Sequence, residues 1–211
     1  MNPDLLLALD VTGTIVFALS GALLAVRKDL DIVGVVVLSV AAGLGGGMVR
    51  DVLLGDTPPV ALENELLLLL AIGAGIAGFF FHPRIGRLNQ SIRLLDALGL
   101  GVFAVVGALK TLEAGLGPVP AVLLGVVSGV GGGVIRDLLG GEIPLVLRRD
   151  IYALAAMVGA TACVGIVEAG LATGIATVAG IASTLGLRVL AMWFGWQAPR
   201  PGNVSIPPDR P

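Results

Sequence analysis

Side chains that do chemistry are scarce in this sequence. Cysteine and histidine occur once each among 211 residues, so no intramolecular disulfide can form, and His82 has no companion ligand for a metal. Cys163 lies within an apolar run and reads as a small packing residue. Charged residues make up only 13% of the chain and form no basic patch, which argues against nucleic acid as a partner. There is no nucleotide-binding glycine signature, which disfavours an ATP-driven pump, and no nucleophile–base pair that would mark an enzyme. Neither a metal nor a cofactor is implied.

What is abundant is apolar surface and glycine. A hydrophobic fraction of 56% and a mean hydropathy of +0.99 describe a membrane protein. Apolar runs fall at 5–26, 32–54, 62–82, 92–112, 119–141, 149–169 and 171–196, each near the roughly 20 residues that cross a bilayer. An all-α fold with seven transmembrane helices is therefore expected. The first run carries Asp4 and no Lys or Arg in its flank, the reverse of a cleaved signal, so it reads as the first helix.

The chain also says the same thing twice. The segment from Gly43 to Asp51, with Gly45-Gly46-Gly47 and Arg50-Asp51, returns 86 residues later as Gly129 to Asp137, with Gly131-Gly132-Gly133 and Arg136-Asp137. The same offset carries Asp10 to Asp96, Gly13 to Gly99, Phe17 to Phe103, Gly21 to Gly107, Gly55 to Gly141 and Pro58 to Pro144 without a gap. Internal repetition of this kind means two copies of one structural unit. Each copy holds three helices, an odd number, so the second enters the membrane upside down. The expected organisation is a first three-helix repeat over 1–86, a second, inverted repeat over 87–170, a seventh helix over 171–198 and a disordered Pro-rich tail over 199–211. In the seventh helix, Ala172, Ala176, Gly180 and Thr184 form a small-residue stripe suited to close packing.

Cations orient the chain. With the N-terminus outside, Arg27, Lys28, Arg84, Arg87, Arg93, Arg148, Arg149, Arg200 and Arg210 all collect on the cytoplasmic side, in the plasma (inner) membrane. Trp193 and Trp196 then suit the inner interface. Arg50, Lys110, Arg136 and Arg188 lie inside or at the margins of helices and need a separate account.

Three glycines in succession are costly in a helix, roughly 1 kcal/mol each relative to alanine, and both triplets fall inside the hydrocarbon layer. One reading is a broken helix whose freed carbonyls face a pore or substrate site. The other is that glycine lets two helices cross closely. The doubled motif, followed each time by a charged pair, favours the first. Arg50-Asp51 and Arg136-Asp137 are sequence neighbours that do not face each other on a helix, so each needs another partner. Shared depth points to Asp10–Arg50 and Asp96–Arg136, as functional intramembrane charges or as structural ion pairs. Lys110, where the first copy has Leu24, either snorkels to the outer interface or acts as a gating charge. Arg188 is expected to snorkel inward or bind a lipid headgroup.

Two GGG-x-x-R-D segments in two three-helix repeats, followed by a seventh helix, resemble the prokaryotic trimeric intracellular cation (TRIC) channels over about residues 5–196. The resemblance implies a homotrimer with a pore in each subunit, formed mainly by helices 1, 2, 4 and 5, passing K⁺ and Na⁺. It assigns the kinks to Gly45, Gly46 and Gly47 and to Gly131, Gly132 and Gly133, and makes Lys110 a gating candidate. The basic tail of the animal channels is absent, so their lipid regulation is not implied. The alternative function is a secondary transporter of a small solute such as glycine, because inverted repeats with broken helices serve both purposes.

Overall fold

A computed structural model describes residues 3–82, 88–148 and 151–196. Arg84, Arg87, Arg149, Arg200 and Arg210, and the Pro-rich tail, lie outside the described residues. Among the described residues nine helices follow one another: α1 (Pro3–Arg27), α2 (Ile32–Leu54), α3 (Val60–Glu63), α4 (Glu65–Phe81), α5 (Leu88–Glu113), α6 (Pro118–Leu139), α7 (Leu145–Arg148), α8 (Ile151–Glu168) and α9 (Thr173–Phe194). Six of them, α1, α2, α5, α6, α8 and α9, are long and apolar enough to cross a membrane. A shorter apolar helix, α4, has 17 residues and is about 26 Å long at 1.5 Å per residue. The run expected over 62–82 is thus divided. Asn64 takes an extended conformation (φ −104°, ψ 94°), ends the single turn of α3 and caps α4 by accepting a hydrogen bond from the Leu66 amide.

The helix breaks expected at the glycine triplets are not there. α2 runs as unbroken α-helix through Gly45–Gly47, and α6 through Gly131–Gly133. Lipid offers no hydrogen bond to a loosened backbone, so the intrahelical ladder survives a run of poor helix formers. The glycines serve the crossing of the two helices instead. A Cβ on Gly46 would lie 2.5 Å from the Ser128 carbonyl oxygen, and one on Gly132 2.5 Å from that of Ala42.

α1 and α5 are the most deeply buried spans and form the centre of the bundle. A Cβ on Gly13 would meet the Phe103 ring at 2.9 Å, and one on Gly99 the Phe17 ring at 2.8 Å. These reciprocal contacts make α1 and α5 antiparallel, and the Gly46 and Gly132 contacts do the same for α2 and α6. Within each half, a Cβ on Gly43 would lie 2.9 Å from the Thr14 carbonyl oxygen, and one on Gly129 2.9 Å from that of Leu100. Every one of these pairs obeys the 86-residue offset, so the repeat in the sequence is a repeat in the packing.

The unmatched helix α9 lies on α8 and α5. Ala176, Gly180 and Thr184 of the expected stripe are buried there, whereas Ala172 caps the helix and is exposed. A Cβ on Gly159 would collide with the Thr184 side chain, which shows how closely α8 and α9 approach. Cys163 is buried against Val105, Leu109 and Ala176 in the same seam. At the loop end of α1, Arg27 and Lys28 hold Glu142 at 2.6 and 3.0 Å, and Arg27 also donates to Asn89, tying the two halves together. Partial burial raises the Glu142 carboxyl, but the hydrogen bond from Lys28 and the charge of Arg27 outweigh it and hold the group below its ordinary value.

Candidate functional site

Two clusters of buried charge stand at opposite ends of the four-helix core formed by α1, α2, α5 and α6. In the first, the Arg50 guanidinium of α2 donates to Asp10 of α1 at 3.3 Å and to Asp51 at 2.8 Å. In the second, Arg136 of α6 is 2.8 Å from Asp96 of α5 and donates from Nε and Nη2 to Asp137 at 2.9 and 2.8 Å. All six side chains are essentially buried. The cross-helix pairs expected from depth are therefore in place.

The expectation that sequence neighbours cannot pair is corrected. Arginine is long enough to curl back around its own helix, and its fork of donors spans two carboxylates at once. Each adjacent aspartate has a further task. Asp51 Oδ2 accepts from the Val60 amide and Asp137 Oδ2 from the Leu145 amide, which fixes the short helices α3 and α7 over the two clusters.

Lys110 does not reach out to the interface. Its ammonium turns inward, 3.4 Å from Asp10 Oδ2 and 3.6 Å from Asp51 Oδ1, because two buried carboxylates within reach outweigh hydration at the helix end. Leu24, its counterpart in the first copy, is buried among apolar residues. Arg188 is likewise buried rather than snorkelled, with its guanidinium 4.8 Å from the centroid of the Tyr152 ring.

Sequence reasoning missed three contributors. Tyr152 of α8 donates its hydroxyl to Asp96 Oδ1 at 3.1 Å, and Ser20 of α1 accepts from Arg136 at 2.9 Å. Their repeat counterparts, Leu66 and Val106, are apolar, so the symmetry that exposed the clusters conceals these two. Their polarity inside apolar runs was the available signal. The third is the pair Phe17 and Phe103, visible only as a repeated aromatic. The two rings stack at 5.7 Å between the clusters and are almost wholly buried.

Beside the first cluster a cavity of about 10 Å³ is lined by Asp10, Gly47, Arg50, Asp51 and Phe103 among others. That is room for about one water. Between the two charged ends the buried, stacked rings of Phe17 and Phe103 occupy the core. Of the glycines in the triplets, Gly47 faces Arg50 and Gly133 faces the Tyr152 hydroxyl and Asp96, while Gly45 and Gly131 line the α2–α6 crossing at Ile135 and Gly46.

A family model described as Glycine transporter matches this chain twice, over residues 7–83 and 93–168. The two matches begin 86 residues apart, the same offset as the internal repeat. A membrane protein of Deinococcus radiodurans, UPF0126, is 47% identical over 73% of this chain and 73% of its own length. The Escherichia coli K12 inner membrane protein YadS is 42% identical over 72% of this chain and 73% of its own. Among solved structures, the TRIC trimeric intracellular cation channel orthologue from Rhodobacter sphaeroides superimposes with a TM-score of 0.88 at 40% identity, covering 91% of this chain and 99% of that one.

Proposed function

Because this chain belongs to the prokaryotic TRIC channel family, we propose that it is a monovalent-cation channel, passing K⁺ and Na⁺ through a path inside each subunit of a homotrimer. The observation that carries this reading is the pair of buried charge clusters at the two ends of the α1–α2–α5–α6 core, separated by the stacked rings of Phe17 and Phe103. Carboxylates at both ends favour cations over anions, and an aromatic constriction between them is the kind of closure that gates by excluding water. The antiparallel, reciprocal packing of the halves supports reading them as inverted repeats. The glycines at the α2–α6 crossing then permit the two helices to shift against each other when the path opens.

Lys110 is the gating candidate. Held by Asp10 and Asp51, its charge locks the first cluster, and leaving it would expose both carboxylates to the path. The cation count in the loops supports an outside N-terminus and a cytoplasmic C-terminus in the inner membrane, with lipids around the apolar faces. The second reading, a carrier of a small solute such as glycine, is favoured by one observation, the description of the matching family. Purified protein in planar bilayers separates them. Discrete current steps with K⁺ on both sides support the channel, and saturable, solute-dependent uptake into vesicles without such steps overturns it in favour of the carrier.

A further inference from the structure

The 86-residue offset also relates the two mouths of the core, and they are built oppositely. At the second mouth, Glu142 in the loop between α6 and α7 is held by Arg27 at 2.6 Å and by Lys28 at 3.0 Å, and Arg27 also donates to Asn89 at the start of α5. Close by, Leu24 is buried, and a Cβ on Gly140 would lie 2.9 Å from it. The counterparts of Arg27, Lys28 and Glu142 are Glu113, Ala114 and Asp56, and those of Leu24 and Gly141 are Lys110 and Gly55. These five and Leu54, the counterpart of Gly140, line a cavity of about 330 Å³ at the first mouth, with Asp56 and Glu113 exposed. Two carboxylates thus share an open cavity where the second mouth pairs opposite charges, and Lys110, which also lines it, is turned toward Asp10 and Asp51.

We propose that the Arg27–Glu142–Lys28 clasp is a gate over the second mouth, closed in this structure and opened by release of the α6–α7 loop. The inference rests on the channel reading and regulates the same path. The loop leads straight to the second cluster: the Glu142 amide donates to the Asp137 carbonyl, and the Leu145 amide three residues on donates to Asp137 Oδ2. Freeing Glu142 therefore loosens the anchor of α7 above Asp137 and uncovers Leu24, leaving the second mouth as open as its twin. The clasp suits a reversible task. Arg27 and Glu142 are 30% and 29% exposed and Lys28 is 35% exposed, so water and salt compete for each pair. Unlike the buried arginines, these side chains part without stranding a charge in the bilayer. The molecule thus has a buried lock at one end, Lys110, and a half-exposed latch at the other.

Single-channel recording of the purified protein in planar bilayers, joined to thiol labelling, tests the gate. Glu142→Gln keeps the size of the side chain and removes both ion pairs, and is expected to raise the open probability about three- to tenfold. Arg27→Gln is expected to act in the same direction, and the double variant to add little to the larger single effect, because both changes break one clasp. Asp56→Asn, the same change at the first mouth, is expected to leave the open probability as it is. For labelling, Leu24→Cys is placed beneath the clasp in a Cys163→Ala background and treated with a charged methanethiosulfonate. Its reaction is expected to be slow, and severalfold faster once Glu142→Gln or Arg27→Gln is added. Where current steps appear, clasp variants unchanged in either open probability or labelling rate overturn the proposal, as does an equal rise in Asp56→Asn. Without current steps in any variant the channel reading fails by itself, and the labelling rate then decides the latch: faster reaction in Glu142→Gln supports it and an unchanged rate overturns it.

Discussion

Arg50 and Arg136 are among the largest fully buried side chains in the molecule, and each is held by two carboxylates from different directions. Such an arrangement contributes little net stability against an apolar replacement of the same shape, but losing one member leaves charge stranded, at about 3–5 kcal/mol. Arg50→Ala leaves Asp10 and Asp51 with Lys110 alone, and Asp10→Ala leaves Arg50 and Lys110 with Asp51 alone. Each single variant is expected to lose stability, and the double variant less than the sum of both. Asp96 and Arg136 should show the same coupling. Double-mutant cycles read by thermal unfolding in detergent check this, and additive losses at both ends would mean that the pairs do not interact.

Two kinds of glycine occur in these helices, and their substitutions should behave oppositely. At Gly46 and Gly132 a new Cβ would press on the backbone of the facing helix, which has no side chain to move aside. Gly46→Ala or Gly132→Ala is therefore expected to cost about 1–3 kcal/mol and to reduce flux, with Gly46→Leu worse. At Gly73 in α4 nothing lies within 4 Å of the added atom, so Gly73→Ala should be neutral or stabilising by up to about 1 kcal/mol. Melting temperatures of the three alanine variants decide the matter. Equal shifts would show that helix propensity, rather than the crossing, governs all three positions. The same contrast explains why the triplets were misread as breaks: propensity counts glycine as a weakness wherever it stands, while the cost of unwinding depends on what surrounds the backbone.

At the scale of the whole molecule, the two halves are joined through α1 against α5 and α2 against α6, and α9 buttresses only the second half through α8 and α5. That asymmetry brings Tyr152 and Arg188 to one charge cluster and none of their kind to the other. The proposed orientation, with the N-terminus outside and the C-terminus in the cytoplasm, belongs to this scale. A reporter fused after Pro211 should therefore be active when it requires the cytoplasm and silent when it requires the periplasm, and the opposite pattern would reverse the orientation.

The sequence by itself determined the membrane setting, six of the spans, the register of the repeat and the two cross-helix ion pairs. Composition and spacing are local and periodic, and an 86-residue offset that maps Asp10 onto Asp96 and Arg50 onto Arg136 leaves few ways to pair them. Only the tertiary structure decided that α2 and α6 stay whole through their glycines, because that depends on how closely the facing helix approaches. It likewise turned Lys110 inward and laid Arg188 over Tyr152. A long flexible side chain near a helix end can reach water or reach a partner, and the choice is made by buried carboxylates and rings that other helices bring to it.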